Sequence, residues 1–192
     1  MNYPNAIKKE FKTIKSYGNR GMNLEDDINL TNKYYLDNDI AVIYKKPTPI
    51  TINKVDYKSR KDAVIKEAHF LIPSTTDYNG IYKGKYIDFE AKETNSLTSF
   101  PLGNIHKHQI EHLIRIYNHK GIGFIIVNFN KLNKIYILMI KDLVNFLNNN
   151  KRASIPLEYF ENKGIIINRG YNPRIDYIKV LEEKGVFYEK EN

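Results

Sequence analysis

The sequence predicts an α/β fold, a mixed β-sheet flanked by helices. Apolar runs of strand length, among them "IGFIIVNF" and "KIYILMI", alternate with amphipathic segments at helical spacing. A chain of 192 residues with 42% hydrophobic content can bury one substantial core, which favours a single domain. There are no cysteines, so disulfides and thiolate metal sites are excluded.

Charge and hydropathy limit the functional classes. No run approaches the roughly 18 apolar residues of a membrane span, and the N-terminus lacks the apolar core of a secretory signal. We therefore expect a cytoplasmic protein with no membrane partner. The net charge of +8 predicts a polyanionic partner, because clustered bases gain affinity by releasing the counterions of nucleic acid.

The first elements follow from capping and charge. Residues 1–18 are polar, basic and aperiodic, which predicts a mobile tail before a single domain over residues 19–192. Asn23 caps a first helix, where Glu25 and Asp27 complement the positive helix end. "IAVIYKK" and "ITINKVDY" read as strands separated by two prolines, and "RKDAVIKEAHF" as a short helix. From Lys45 to Lys66 the chain holds seven bases against two acids: Lys45, Lys46, Lys54, Lys58, Arg60, Lys61 and Lys66 against Asp56 and Asp62.

A charged β-hairpin is predicted next, with its turn at Lys83 and Gly84. Because side chains alternate along a strand, Asp88, Glu90 and Lys92 share one face while the intervening apolar residues face the core. The remaining segments complete the predicted sheet and its helices. They are a helix through "QIEHLIRIY" that ends at Gly121, the two apolar strands, a helix "KDLVNFLNN", the run "GIIIN" and an amphipathic C-terminal segment.

The hairpin carries the residue types of metal-assisted phosphodiester hydrolysis. Pairing of its arms would bring Asp77 opposite Glu90, and two converging carboxylates repel each other unless a cation lies between them. Lys92, on the same face as Glu90, could orient a water or contact a phosphate. Asp88 is an alternative first carboxylate. The same alternation is also typical of an ordinary solvated strand face, so the pattern alone leaves both interpretations open.

Two further polar residues could complete such a site. Gln109 borders an apolar helix stripe and could offer its amide oxygen to a metal ion or its water, although a boundary amide often has no such role. Thr75 lies two residues before Asp77 and could supply an oxygen ligand, or simply occupy a turn. Zinc is disfavoured, because the histidines near Gln109 have no companion His or Cys cluster.

Several long strings closely resemble the RecU family of Holliday-junction resolvases, within the PD-(D/E)xK nuclease superfamily. They are "NRGMNLEDDINLTNKYYL", "IAVIYKKPTP", "STTDYNGIYKGKYIDFEAKET", "TSFPL", "HQIEH" and "PRIDYIK". The resemblance implies a restriction-endonuclease-like fold and a Mg²⁺ cofactor that Mn²⁺ can replace. Position by position, it implies metal ligands at Thr75, Asp77, Glu90 and Gln109, with Lys92 stabilising the transition state. Glu25 resembles an accessory acid of many relatives.

The resemblance also implies how the protein meets DNA. The segment at about 47–70 would form a protruding basic stalk that contacts the branch point, so the seven bases would bind phosphates without reading bases. It implies a homodimer that makes two symmetric cuts, and RecA as a further partner. Two alternatives remain open: a restriction-like nuclease specific for linear duplex, and a non-catalytic junction-binding or RecA-modulating protein.

Overall fold

A computed structural model describes residues 23–57, 59, 61–71 and 75–188. Five helices are described: α1 (Leu24–Asp37), α2 (Lys107–Asn118), α3 (Ile140–Asn149), α4 (Leu157–Lys163) and α5 (Tyr177–Glu183). The strands are β1 (Val42–Lys45), β2 (Ile50–Asp56), β3 (Val64–Phe70), β4 (Tyr78–Tyr82), β5 (Lys85–Thr94), β6 (Ser99–Pro101), β7 (Ile122–Phe129), β8 (Lys134–Met139), β9 (Ser154–Pro156) and β10 (Ile165–Ile167).

Six strands form the central sheet, in the order β1-β4-β5-β7-β8-β10. β5 and β7 are parallel and the other neighbours are antiparallel, so the predicted mixed sheet is confirmed. A parallel step needs a crossover connection, and α2 lies in the one that joins β5 to β7. Every residue of β7 is buried, as its continuous apolar run predicts.

Helices cover the sheet on both faces, which confirms the predicted α/β class. Phe124 and Ile126 of β7 pack in a cluster with residues of α1 and α5, whereas Ile125 and Val127 pack with residues of α2, α3 and α4. Phe89 of β5 stacks on Phe124 with ring centroids 4.9 Å apart. The sheet therefore lies between two cores, and β5 lies beside its central strand β7.

Local signals also give the predicted element ends. The side chain of Asn23 accepts a hydrogen bond from the backbone amide of Asp26 at 2.8 Å, so Asn23 caps α1. The hairpin of β4 and β5 turns at Lys83 and Gly84, both with positive φ. Gly84 tolerates this conformation because it has no Cβ, which makes the turn position readable from the sequence.

The predicted helix "RKDAVIKEAHF" is wrong, because Val64–Phe70 forms strand β3. This strand pairs with β2 in an antiparallel ribbon separate from the central sheet, and long-range pairing overrides the weak local helix preference. Almost every described side chain of the ribbon is exposed, on both faces, and Phe70 reaches 82% exposure. A two-stranded ribbon of this kind occupies the segment predicted to be a stalk.

Some predictions lie outside the described residues. They concern the tail over residues 1–18 and the side chains of Lys58 and Arg60. The assignment of 19–192 to one domain stays a prediction. Among the helices of the described ranges, none combines the length and the apolar character needed to cross a membrane.

Candidate active site

The hairpin register brings Asp77 and Glu90 together. Tyr78 pairs with Phe89, so Asp77 lies opposite Glu90 just before β4 begins. The backbone amide of Asp77 donates to Oε2 of Glu90 at 3.1 Å, and Oδ2 of Asp77 accepts from the backbone amide of Ala91 at 3.3 Å. Two acids 13 residues apart in sequence are therefore neighbours across one hairpin.

Glu90 is also contacted from its own strand and from α2. Nζ of Lys92 lies 2.6 Å from Oε1 of Glu90, and Nε2 of Gln109 donates to the same oxygen at 2.6 Å. Lys92 keeps 23% of its side chain exposed while Glu90 is fully buried, so the ammonium group borders solvent above the acid. The structure thus assembles Asp77, Glu90, Lys92 and Gln109 in one place.

Gln109 presents the NH₂ group of its amide to Glu90, whereas the sequence suggested that its amide oxygen would face a metal ion or its water. Its Oε1 accepts a hydrogen bond from the backbone amide of His106 at 3.0 Å as part of a capping box at the start of α2. That bond leaves the NH₂ group facing Glu90. In this structure Gln109 orients the carboxylate as a donor, and its predicted service as an oxygen ligand stays a prediction.

Burial raises the pKa of Glu90 to about 7. Loss of hydration is the largest cause, and the neighbouring Asp77 adds to it by repulsion, while Lys92 acts in the opposite direction. Even with Lys92 beside it, a carboxylate buried in this way is costly to ionise. A bound divalent ion would stabilise the ionised form of Glu90.

The donor set fits a hard divalent cation. Asp77 and Glu90 offer carboxylate oxygens, and Mg²⁺ takes one or two carboxylates while keeping several waters. No group of three or more His, Asp or Glu side chains within the described residues is arranged as a ready metal site. The acid pair is therefore a partial shell that water and other oxygens would complete.

The raised pKa of Glu90 predicts a pH-dependent stability. Because the folded protein holds a proton that the unfolded chain releases, the free energy of unfolding of metal-free protein should fall as pH rises from about 4.5 to about 7. The loss should be about 3 kcal/mol. Urea unfolding across this range should show a smaller loss for Glu90→Gln than for wild type and for the exposed control Glu111→Gln. Equal pH slopes in all three proteins would contradict the prediction.

Asp88, the alternative first carboxylate, lies in a separate buried network. Its Oδ2 is 2.8 Å from Nζ of Lys46, 3.1 Å from Nε2 of His112 and 3.0 Å from the hydroxyl of Tyr86. The hydroxyl of Thr76 donates to its other oxygen. With both oxygens occupied, Asp88 is placed to tie β5 to α2 and to the end of β1.

This network changes the interpretation of Lys46. The sequence predicted that Lys46 binds DNA phosphates, but its side chain is only 17% exposed and is paired with the fully buried Asp88. Nζ of Lys46 donates a second hydrogen bond, to the hydroxyl of Thr76, at 3.0 Å. This role could not be predicted from the sequence, because nothing in the spacing of Lys46, Thr76 and Asp88 indicates that they meet.

A small cleft of about 210 Å³ lies beside Asp77. Glu25, the predicted accessory acid, lines it together with Glu93, and Glu25 is paired with Lys45 at 2.5 Å. Oε1 of Glu93 accepts from the backbone amide of Leu24 at 2.6 Å, which joins the start of α1 to β5. Glu93 was not among the residues predicted from the sequence, although its place directly after Lys92 was a usable signal.

Thr75 is half-buried in a bend next to the undescribed residues 72–74. Within the described residues it forms no hydrogen bond to Asp77 or Glu90, so its predicted ligand role stays a prediction. The predicted DNA-binding bases of the ribbon are exposed where the structure describes them. Lys66 pairs with Asp56 at 2.8 Å across the two strands, whereas Lys54 and Lys61 have no carboxylate partner among the described residues.

Comparisons with known proteins agree on one family. The family model described as "RecU: Recombination protein U" matches residues 19–183. A Bacillus cytotoxicus protein named "Holliday junction resolvase RecU" is 51% identical over 185 residues, covering 94% of this chain and 92% of its own. A Bacillus mycoides protein of the same name is 54% identical with the same coverage.

A solved structure from Archaeoglobus fulgidus also aligns with this chain. It is described as Hjc, a Holliday junction resolvase from an archaeal hyperthermophile. Its TM-score is 0.40 at 7% sequence identity, and the alignment covers 71% of this chain and 93% of that one.

Proposed function

The chain belongs to the RecU family, and from this premise we propose that it is a structure-selective endonuclease that resolves four-way DNA junctions during recombination and repair. The reaction is metal-dependent hydrolysis of a phosphodiester bond. The observation that carries the proposal is the convergence of Asp77, Glu90 and Lys92, since an acid pair beside an ammonium group suits this chemistry. The curated relatives of this chain are named for the same activity.

Asp77 and Glu90 would hold the cation, which we propose is Mg²⁺ with Mn²⁺ able to replace it. When bound, such an ion lowers the pKa of water and offsets phosphate charge. Thr75 and Gln109 are the further ligands that the family resemblance implies. Their oxygens, together with water, would complete the shell around the two acids.

The chain's own residues orient and stabilise the reacting groups. Gln109 holds the buried carboxylate of Glu90 in place through its amide hydrogen bond. Lys92 borders solvent, so its ammonium group can approach a scissile phosphate and stabilise the negative charge that grows on it in the transition state. The backbone amide of Asp77 fixes the other oxygen of Glu90, which limits rearrangement of the site as charge develops.

Resolution of a junction needs two symmetric cuts, and a twofold homodimer would supply two such sites. We include the homodimer in the proposal, together with a cytoplasmic location and RecA as a further partner. The exposed ribbon of β2 and β3 is the element proposed to meet the branch point. Its bases would bind phosphates, so recognition would depend on branched shape more than on sequence.

A cleavage assay on three DNA substrates tests the function. Purified protein should introduce paired, symmetric nicks into a mobile four-way junction only when Mg²⁺ is added, and linear duplexes and single strands should stay largely intact. Junction binding without product would indicate a non-catalytic binding protein. Equal cutting of the linear duplex would indicate a restriction-like nuclease.

A further inference from the structure

A large cleft lies at the far end of the catalytic strand. It has a volume of about 750 Å³ and is lined by the start of β5, the ends of α2 and α5, the start of β7 and the junction of β8 with α3. Lys85 opens β5, and Glu90 lies five residues further along. At about 3.3 Å per residue, this places the cleft some 16 Å from the acid pair.

Positive charge dominates the lining of this cleft. Lys85, Lys120, Lys141 and Lys184 come from four separate segments of the chain, and the lining includes no aspartate or glutamate. Among the described residues, no carboxylate forms an ion pair with Lys120, Lys141 or Lys184. Tyr117 adds a half-exposed aromatic ring to the rim. The fold therefore gathers bases here that are distant in sequence.

The distribution of charge elsewhere makes this cleft more significant. The proposed active site is rich in acids, which repel DNA phosphates, so binding energy must come from other surfaces. Three of the bases predicted to bind DNA are already paired: Lys45 with Glu25, Lys46 with Asp88 and Lys66 with Asp56. Within the described residues, the basic segment from Lys45 to Lys66 thus offers less unpaired positive charge than the sequence suggested.

We propose that the cleft between Lys85, Lys120, Lys141 and Lys184 is a second DNA-binding site, which holds the phosphodiester backbone of an arm of the substrate. The inference rests on the proposed function. A lysine cluster on an open cleft contacts phosphates as point charges and carries no base specificity. Engagement at both ends of β5 would hold an arm in place while the acid pair and Lys92 act on a different phosphate.

The test compares two double variants that remove the same charge. Lys120→Gln with Lys141→Gln removes two of the four lysines of the cleft, and Lys151→Gln with Lys163→Gln removes two exposed lysines outside its lining. Binding to a four-way junction is measured without divalent metal over a range of salt concentrations. The cleft variant should bind more weakly, and the salt slope of its affinity should be shallower by about 2, or about 1 per lost phosphate contact. The control pair should change neither value appreciably.

Each other result has a defined meaning. Equal changes in the two variants would reflect net charge alone and would overturn the second site. An unchanged salt slope in the cleft variant would also overturn it, because the lysines would then only stabilise the nearby helix ends. Weaker binding of inorganic tripolyphosphate with unchanged DNA binding would assign the cleft to a small phosphate ligand and overturn the proposal. Failure of wild-type protein to cut junctions with Mg²⁺ would refute the proposed function, and the metal-free slopes would still decide the cleft.

Discussion

Replacing Lys92 by alanine is expected to lower the rate of junction cleavage by two to three orders of magnitude while junction binding is nearly unchanged. The ammonium group of Lys92 is the cation nearest the buried Glu90 and is placed to stabilise charge that develops on the phosphate. Losses of about 10²–10³ in rate are usual when one such group is removed. Single-turnover cleavage of a labelled junction measures the rate, and binding without metal measures the affinity.

A control variant and a pH profile accompany the Lys92→Ala measurement. Lys107→Ala removes a highly exposed lysine from α2 and should leave the rate unchanged. Because Lys92 lowers the pKa of Glu90, its loss should raise that pKa further and shift the residual activity of the variant to higher pH. Loss of cleavage, binding and folded structure together would instead indicate a structural lysine, and unchanged cleavage would remove Lys92 from the mechanism.

Replacing Asp27 by alanine is expected to lower the free energy of unfolding by about 3–5 kcal/mol. Asp27 is fully buried in the first turn of α1 and pairs with Arg174 at 3.0 Å and with Arg169. Its removal leaves two partly buried guanidinium groups without this carboxylate, so their desolvation cost is offset less well. Urea unfolding monitored by circular dichroism measures the change.

Asp26→Ala is the matched control for this substitution. Asp26 lies in the same first turn but is exposed, so both variants lose the same favourable interaction with the helix N-terminus, about 0.3–1 kcal/mol. The excess loss in Asp27→Ala then measures what burial beside the two arginines adds to the helix-end interaction. Equal destabilisation in the two variants would show that Asp27 acts only as a helix-end charge.

Local rules predicted most of the fold. The alternation along β5 correctly divided its core face from its polar face, because neighbouring side chains in a strand point in opposite directions. The buried β7 and the cap at Asn23 followed from equally local signals. The prediction for "RKDAVIKEAHF" failed where the deciding contact was distant, since β3 exists only through its pairing with β2.

In the candidate site, too, local rules predicted some features and distant contacts decided the others. Hairpin pairing predicted that Asp77 and Glu90 would meet, since the register of a tight hairpin follows from its turn. The sequence did not indicate that Lys46 would be withdrawn from solvent by Asp88, or that Gln109 would turn its amide NH₂ toward Glu90. Those outcomes depend on how β1 and α2 are placed relative to β5 in the folded protein.

By itself, the sequence determined the strand and helix identities that depend on periodicity and capping, and the chemical types available to the acid pair. Tertiary structure alone decided which charges are exposed. Asp27 was predicted as a helix-end charge and is buried against Arg169 and Arg174, whereas the cleft lysines converge from four distant segments. The physical reason is range: backbone preferences act within a few residues, but burial and ion pairing depend on which segments the folded sheet brings together.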